Sequence, residues 1–117
     1  MPAADKSKLD SYNPQIVQTL SGTSPTFNVN NGCDAIITLS GETTITFSNL
    51  SDGDKGNMYV TAPSDYKLRI AGYTVEIPLA SQDTGDYLAL TGDGAKDLVN
   101  YWYTGNVLVV GLAKNLK

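Results

Sequence analysis

Apolar and polar residues alternate along most of this chain, in short runs separated by Gly, Pro, Asn and Asp. In residues 43–47, for example, Ile45 and Phe47 alternate with Thr44 and Thr46. Successive residues of a strand point to opposite faces, so such a run predicts a strand with one face in a core. No stretch of ten residues combines a 3.6-residue period with good helix formers. The pattern therefore predicts an all-β protein.

Short strands and turn signals follow one another along the chain at regular spacing. The spacing gives about nine strands, which is typical of a sandwich or barrel. Short links between consecutive strands favour antiparallel pairing. Residues 35–39 are thus predicted to pair with residues 43–47 through the link at 40–42. We predict an antiparallel β-sandwich, with the jelly roll as one form that it could take.

The segment at residues 97–112 carries the clearest hairpin signal. Its two arms are rich in β-branched and aromatic residues and are joined by a link that contains Gly. The single Trp of the chain, Trp102, stands between Tyr101 and Tyr103. Alternation places the two Tyr side chains on one face and Trp102 on the other. Neither face suits bare solvent, so these three residues are predicted to contact a subunit interface or a glycan.

Residues 1–14 differ from the rest of the chain because they contain few apolar side chains. We predict that they form an N-terminal arm and that residues 15–117 form the β-sandwich domain. Ordering an arm costs backbone entropy that its few apolar groups cannot offset alone. Its predicted anchors on a partner surface are Leu9 and Tyr12.

Composition and charge exclude several classes of function. The net charge is -4, which argues against nucleic acid as a partner, since nucleic-acid binding needs a clustered basic face. No apolar run approaches the length of a membrane span, so no membrane partner is expected. The chain has no His, which excludes Ser-His-Asp and Cys-His catalysis. Cys33 is the single Cys and is interpreted as a small, mostly buried side chain.

Acidic residues in two loops were candidates for calcium ligands. One loop contains Asp52, Asp54 and Asn57, and the other contains Asp93 and Asp97. Calcium needs six to eight oxygen ligands, and neither loop supplies them alone. We interpret the Asp and Gly residues as turn formers and predict no cofactor and no metal.

Two further groups of residues bear on chemistry. Glu42 and Glu76 are the only Glu residues, and they make a weak case for glycoside hydrolysis, which needs two carboxylates across a cleft. Tyr73 and Tyr87, together with the hairpin aromatics, are compatible with a sugar-stacking platform. Tyr and Trp are also enriched in cores and subunit interfaces, and this second interpretation is the preferred one. The pattern leaves both interpretations open.

Three blocks of sequence, in order, resemble a small β domain of bacteriophage virion proteins such as head fibres, decoration proteins and tail fibres. They are residues 39–50 with 53–57, residues 68–73, and residues 97–105. The resemblance implies a structural role in the virion, partners in the capsid or tail, and a trimer, and it carries over no catalytic residue. This chain is short and stands behind an arm, which favours a decoration or adaptor role over a fibre.

The leading hypothesis is therefore a non-enzymatic structural protein of a phage particle, attached to capsid or tail through its arm and assembled as a homotrimer. The alternative is a carbohydrate-binding module or the receptor-binding tip of a tail fibre, with a cell-surface glycan as partner. An exposed Trp102 beside a groove would favour the alternative. A buried or covered Trp102 would favour the first hypothesis.

Overall fold

The computed structural model describes residues 17–78, 81–83 and 87–116. Short strands dominate these residues, which also include a 3-10 turn at Val29–Asn31. The strands are β1 Val17–Leu20, β2 Thr26–Asn28, β3 Asp34–Thr38, β4 Thr43–Ser48, β5 Lys55–Thr61, β6 Leu68–Ala71, β7 Thr74–Glu76, β8 Tyr87–Leu88, β9 Lys96–Thr104 and β10 Val107–Ala113. In this part of the chain no helix is long and apolar enough to cross a bilayer.

The strands form two sheets that enclose one core. The larger sheet has the order β1-β3-β5-β9-β10-β7, and the smaller has the order β2-β4-β6-β8. Both sheets contribute alternate apolar residues to the core, as the prediction for Ile45 and Phe47 required. Leu68 and Ile70 of β6 are buried in the same way. The predicted all-β sandwich is confirmed.

The predicted antiparallel pairing is wrong for much of the structure. Pairing is parallel in β1–β3, β3–β5, β2–β4, β4–β6 and β7–β10. It is antiparallel in β5–β9, β9–β10 and β6–β8. The sheets are therefore mixed, and a jelly roll, which is built from antiparallel strands, does not describe them.

The physical reason lies in the links between the first six strands. From β1 to β6 the chain crosses from one sheet to the other at every link. Strands β1, β3 and β5 therefore run in the same direction in one sheet, as β2, β4 and β6 do in the other. The link at residues 40–42 joins β3 and β4, which lie in different sheets. Ile37 and Ile45, on either side of this link, are both fully buried in the common core. The link is an arch across the core and not a hairpin.

The predicted C-terminal hairpin is confirmed. Strands β9 and β10 pair from Val107 with Thr104 to Ala113 with Leu98. The two turn residues, Gly105 and Asn106, have φ angles of 57° and 65°. Two successive positive φ angles match the type I′ turn, whose twist suits a two-residue hairpin. Because β9 also pairs with β5, it is a central strand of the larger sheet.

An aromatic cluster occupies the core beneath this hairpin. The rings of Phe27, Phe47 and Tyr101 lie 5.0–5.6 Å apart, and Tyr101 meets the two Phe rings edge-on. The Tyr101 hydroxyl donates a hydrogen bond to the backbone oxygen of Cys33. The Cys33 side chain is buried, as interpreted from the sequence. Tyr101 crosses β5 at Gly56, its partner in register, and so ties β9 to the residue that precedes β3.

Candidate interaction face

The outer face of the six-stranded sheet carries the most exposed apolar side chains. In β9 the buried residues Val99 and Tyr101 alternate with Leu98, Asn100 and Trp102, which are partly or fully exposed. The strand therefore faces the core on one side only. Four large hydrophobic residues of the described chain are exposed, and three of them belong to this face: Val17, Ile36 and Trp102.

An apolar strip runs across this face, and we define it as Ile36, Tyr59, Leu98 and Ala113. These residues are in register across β3, β5, β9 and β10. Ile36 is 44% exposed, and none of the four residues is charged. The nearby Lys96 ammonium lies 6.0 Å from the centroid of the Tyr59 ring. Val17, on the edge strand β1, is in register with Asp34, two residues before Ile36 in β3, and is 49% exposed. Exposed apolar surface that is contiguous commonly marks a contact with another molecule.

The outer face of the four-stranded sheet is different in character. It is rich in hydroxyl-bearing and charged side chains, which suit contact with water: Thr26, Thr44, Thr46, Ser48 and Arg69. Its aromatic residue, Tyr87, lies 5.9 Å from the ammonium group of Lys67, measured to the ring centroid. The two outer faces of the sandwich therefore differ in polarity, although buried and exposed residues alternate along the strands of both sheets.

A groove lies next to the apolar strip, between it and Trp102. Asn57 and Asn100 face each other across β5 and β9 and are both exposed. Asp34 adjoins them and accepts a hydrogen bond from the Asn57 backbone N–H, at 2.9 Å. Lys55 and Trp102 are in register at the next position outward. The groove has a volume of about 440 Å³.

The polar side chains of the groove are available to a ligand. The hydrogen bond at Asp34 uses Oδ1, and no described residue donates to Oδ2. The amide groups of Asn57 and Asn100 likewise have no hydrogen-bond partner within the described ranges. Gly111 leaves room for Asn100, because a Cβ at Gly111 would lie 2.7 Å from its Oδ1 atom. The sheet thus presents one carboxylate oxygen and two amides side by side.

The structure separates the aromatic residues that the sequence grouped together. Tyr101 is 2% exposed, so the prediction that it contacts an interface or a glycan is wrong. Alternation places it in the core, where the Cys33 backbone satisfies its hydroxyl. Tyr103 is partly buried and packs edge-on against Tyr73, with 5.0 Å between ring centroids. Tyr87 belongs to the other sheet, so these residues do not form one sugar-stacking platform.

Trp102 is exposed beside a groove, which is the placement that favours the carbohydrate-binding alternative. Its side chain is 50% exposed, and it lines the groove with Asn57 and Asn100. Sequence reasoning missed Asn100, Asp34 and Lys55 as parts of a site, and it considered Asn57 only as a candidate calcium ligand. Alternation within β9 could have put Asn100 on the face of Trp102. The register of β5 against β9 places Lys55 and Asn57 beside Trp102 and Asn100, and the pairing of β3 with β5 adds Asp34. Neither pairing has a local signal in the sequence.

Three of the acidic residues in the two candidate calcium loops, Asp52, Asp54 and Asp97, accept hydrogen bonds from the protein. Asp52 accepts from the Gly105 backbone N–H, at 3.0 Å. Asp54 accepts from the Ser51 backbone N–H, at 2.8 Å. The Asp54 bond closes a local turn, as the sequence interpretation supposed. The Asp52 bond instead joins its loop to the turn between β9 and β10. Within the described ranges, no group of three or more His, Cys, Asp or Glu residues could hold a metal ion.

Asp97 is the most heavily bonded carboxylate of the second loop. It is 2% exposed and accepts three hydrogen bonds, from the backbone N–H and hydroxyl of Thr91 and from the backbone N–H of Asn115. Asp97 therefore links the segment that precedes β9, at Thr91, to the segment that follows β10, at Asn115.

The two Glu residues lie on different parts of the sandwich. Glu42 precedes β4 of the smaller sheet, and Glu76 ends β7 at the edge of the larger one. Both are exposed, and neither lines the groove beside Trp102. The predicted anchors Leu9 and Tyr12, with the whole of residues 1–14, lie outside the described residues.

Comparison of the chain with protein-family models, with curated proteins and with solved structures finds no match. The resemblance to phage virion domains therefore depends on the three sequence blocks alone.

Proposed function

We propose that the protein is a non-enzymatic structural component of a bacteriophage particle, located in the virion and attached to the capsid or tail through residues 1–14. Copies of the chain associate through the apolar strip, with a homotrimer as the expected assembly. The observation that carries this proposal is the difference between the two outer faces of the sandwich. One face has exposed Ile36 and Val17, whereas the other is polar.

A second copy of the chain suits the strip better than a charged partner. None of the four strip residues is charged, and the nearby Lys96 ammonium, 6.0 Å from the centroid of the Tyr59 ring, would lie at the rim where copies meet. Its residues span four neighbouring strands, which at about 4.8 Å per strand makes a strip roughly 14 Å long. A stable interface needs about 800 Å² from each partner. The strip would thus be the centre of the interface, with its polar neighbours as the rim.

The point at which the arm joins the domain agrees with attachment on the same side. Val17 is the first residue of β1, follows directly after the arm and residues 15–16, and is exposed on the same outer face as the strip. Strand β1 is an edge of the six-stranded sheet. A partner bound to Leu9 and Tyr12 can therefore also reach this edge. The sequence resemblance supports the choice of a phage particle as that partner.

The self-association is tested with a matched pair of charge substitutions. Ile36→Lys places a charge in the strip, and Thr46→Lys places one on the outer face of the other sheet. Both residues are exposed positions of strands that have a neighbour on each side. Light scattering at high micromolar concentration should show a trimer for the native chain and for Thr46→Lys, and a smaller species for Ile36→Lys. A native chain that is monomeric under these conditions would contradict the proposal.

Attachment is tested by deletion of residues 1–13, followed by measurement of the melting temperature and of the copy number on assembled particles. We expect unchanged melting and lost incorporation. Full incorporation of the shortened chain would refute attachment through the arm. A large fall in melting temperature would show that the segment belongs to the sandwich.

A further inference from the structure

We propose that the groove beside Trp102 is a binding site for a neutral glycan built from hexopyranose units. This inference goes beyond the structural role proposed above, because it gives the domain a ligand of its own. It depends on three observations: the exposure of Trp102, the polar side chains next to it, and the charge balance of the groove.

Trp102 supplies the apolar surface that such a ligand needs. Its side chain is 50% exposed on a central strand, where it lies in register with Lys55 of β5 and Val109 of β10. Burying the rest of a large aromatic side chain is favourable, and the flat ring sets a specific geometry. A hexopyranose has one face formed by C–H groups, which matches an aromatic ring in shape and polarity.

The polar side chains beside the Trp102 ring can form hydrogen bonds with the hydroxyl groups of a sugar. A sugar hydroxyl both donates and accepts hydrogen bonds, and so does the side-chain amide of Asn57 or Asn100. Asp34 adds Oδ2 as an acceptor. Neighbouring strands are about 4.8 Å apart, so the two amides are spaced on the scale of one pyranose ring. The groove volume of about 440 Å³ lies within the range of about 300–1,000 Å³ found for small-ligand sites.

Charge in the groove favours a neutral ligand. Asp34 and Lys55 are its two charged side chains among the residues that line it, and their charges are opposite. A phosphate or an acidic sugar would meet Lys55 but would be repelled by Asp34. A second copy of the chain would have to bury both charges and both amides, which costs free energy unless each finds a partner. The apolar strip offers self-association without that cost.

The test uses Trp102 as its own reporter, since it is the only Trp in the chain. The full-length protein is applied to an array of neutral bacterial and animal glycans. It is also titrated with cellohexaose, maltohexaose and chitotetraose while Trp emission is recorded. We expect at least one neutral glycan to give a saturable change in emission, with a dissociation constant that calorimetry reproduces.

Variants then assign the binding to the groove. Trp102→Ala should weaken binding about tenfold or more, by analogy with other aromatic stacking contacts, without a change in melting temperature. Asn100→Ala keeps the reporter and should also weaken binding. Tyr87→Ala, which removes an aromatic side chain from the opposite face, should bind as the native chain does.

Three outcomes would overturn the proposal. They are no saturable binding of any glycan tested, binding that survives Trp102→Ala unchanged, and a shift in Trp emission that depends on protein concentration alone. The last outcome would mean that another copy covers the groove. None of these outcomes decides the phage assignment, which is tested separately by the copy number on particles.

Discussion

Gly56→Ala should strongly destabilise the fold, and the structure explains why. Gly56 lies in β5 where the Tyr101 side chain crosses from β9 to the backbone of Cys33. An added Cβ would be 2.0 Å from the Cys33 backbone oxygen and 2.8 Å from the Tyr101 hydroxyl. The nearest obstacle is backbone, so a rotamer change cannot relieve the clash. Neighbouring strands would have to separate.

The magnitude follows from two costs at the same place. Overpacking a core costs about 1–3 kcal/mol, and breaking the buried hydrogen bond from Tyr101 leaves polar groups unsatisfied, which costs about 1–3 kcal/mol more. A loss of about 3 kcal/mol or more is a large share of the roughly 5–15 kcal/mol that stabilises a typical domain. Urea unfolding, followed by far-ultraviolet circular dichroism, measures this loss as a lower midpoint.

Gly41→Ala is the matched control. A Cβ at Gly41 would meet only the Thr23 methyl group, at 3.6 Å, which is an ordinary contact. Its stability should stay within about 0.5 kcal/mol of the native value, as for most surface changes. If Gly56→Ala is as stable as Gly41→Ala, the crossing of β5 by Tyr101 is not as described and the reasoning fails.

Two further predictions concern the loops. Asp97→Ala should lower the free energy of unfolding by about 3 kcal/mol, because the buried carboxylate accepts three hydrogen bonds whose donors would be left unpaired. Urea unfolding measures this loss, and a change below about 1 kcal/mol would contradict the prediction. The melting temperature should be equal in excess calcium and in excess chelator, since Asp52 and Asp54 already accept hydrogen bonds from the protein. A rise of several degrees with calcium would reveal a metal site, because a ligand that binds the native state stabilises it.

Local pattern was sufficient to predict the strands and their inward residues. Ile45 and Phe47 are buried because alternation in a strand is a property of the strand itself. The β9–β10 hairpin was also accessible, since its turn residues Gly105 and Asn106 adopt the positive φ angles that their types favour. These features depend on neighbours in sequence.

The pairing of strands could not be predicted in the same way. A short link with Gly serves a hairpin as well as an arch between sheets, and the link at residues 40–42 is an arch. The difference depends on whether β3 finds β5 as its partner, a contact between segments about twenty residues apart. The groove was missed for the same reason, because Asp34, Asn57 and Asn100 come from three strands that are brought together by the β3–β5 and β5–β9 pairings.

The groove and the core are connected through the same pieces of backbone. Tyr101 is followed by Trp102 and preceded by Asn100, and Cys33 is followed by Asp34. The hydrogen bond from Tyr101 to Cys33 therefore joins, from the core side, the two segments whose next residues line the groove on the outer side. Because Gly56 has no side chain, the Tyr101 side chain can cross β5 and reach Cys33. The residues that hold the core together thus also fix how the polar groups and the exposed Trp102 side chain face a ligand.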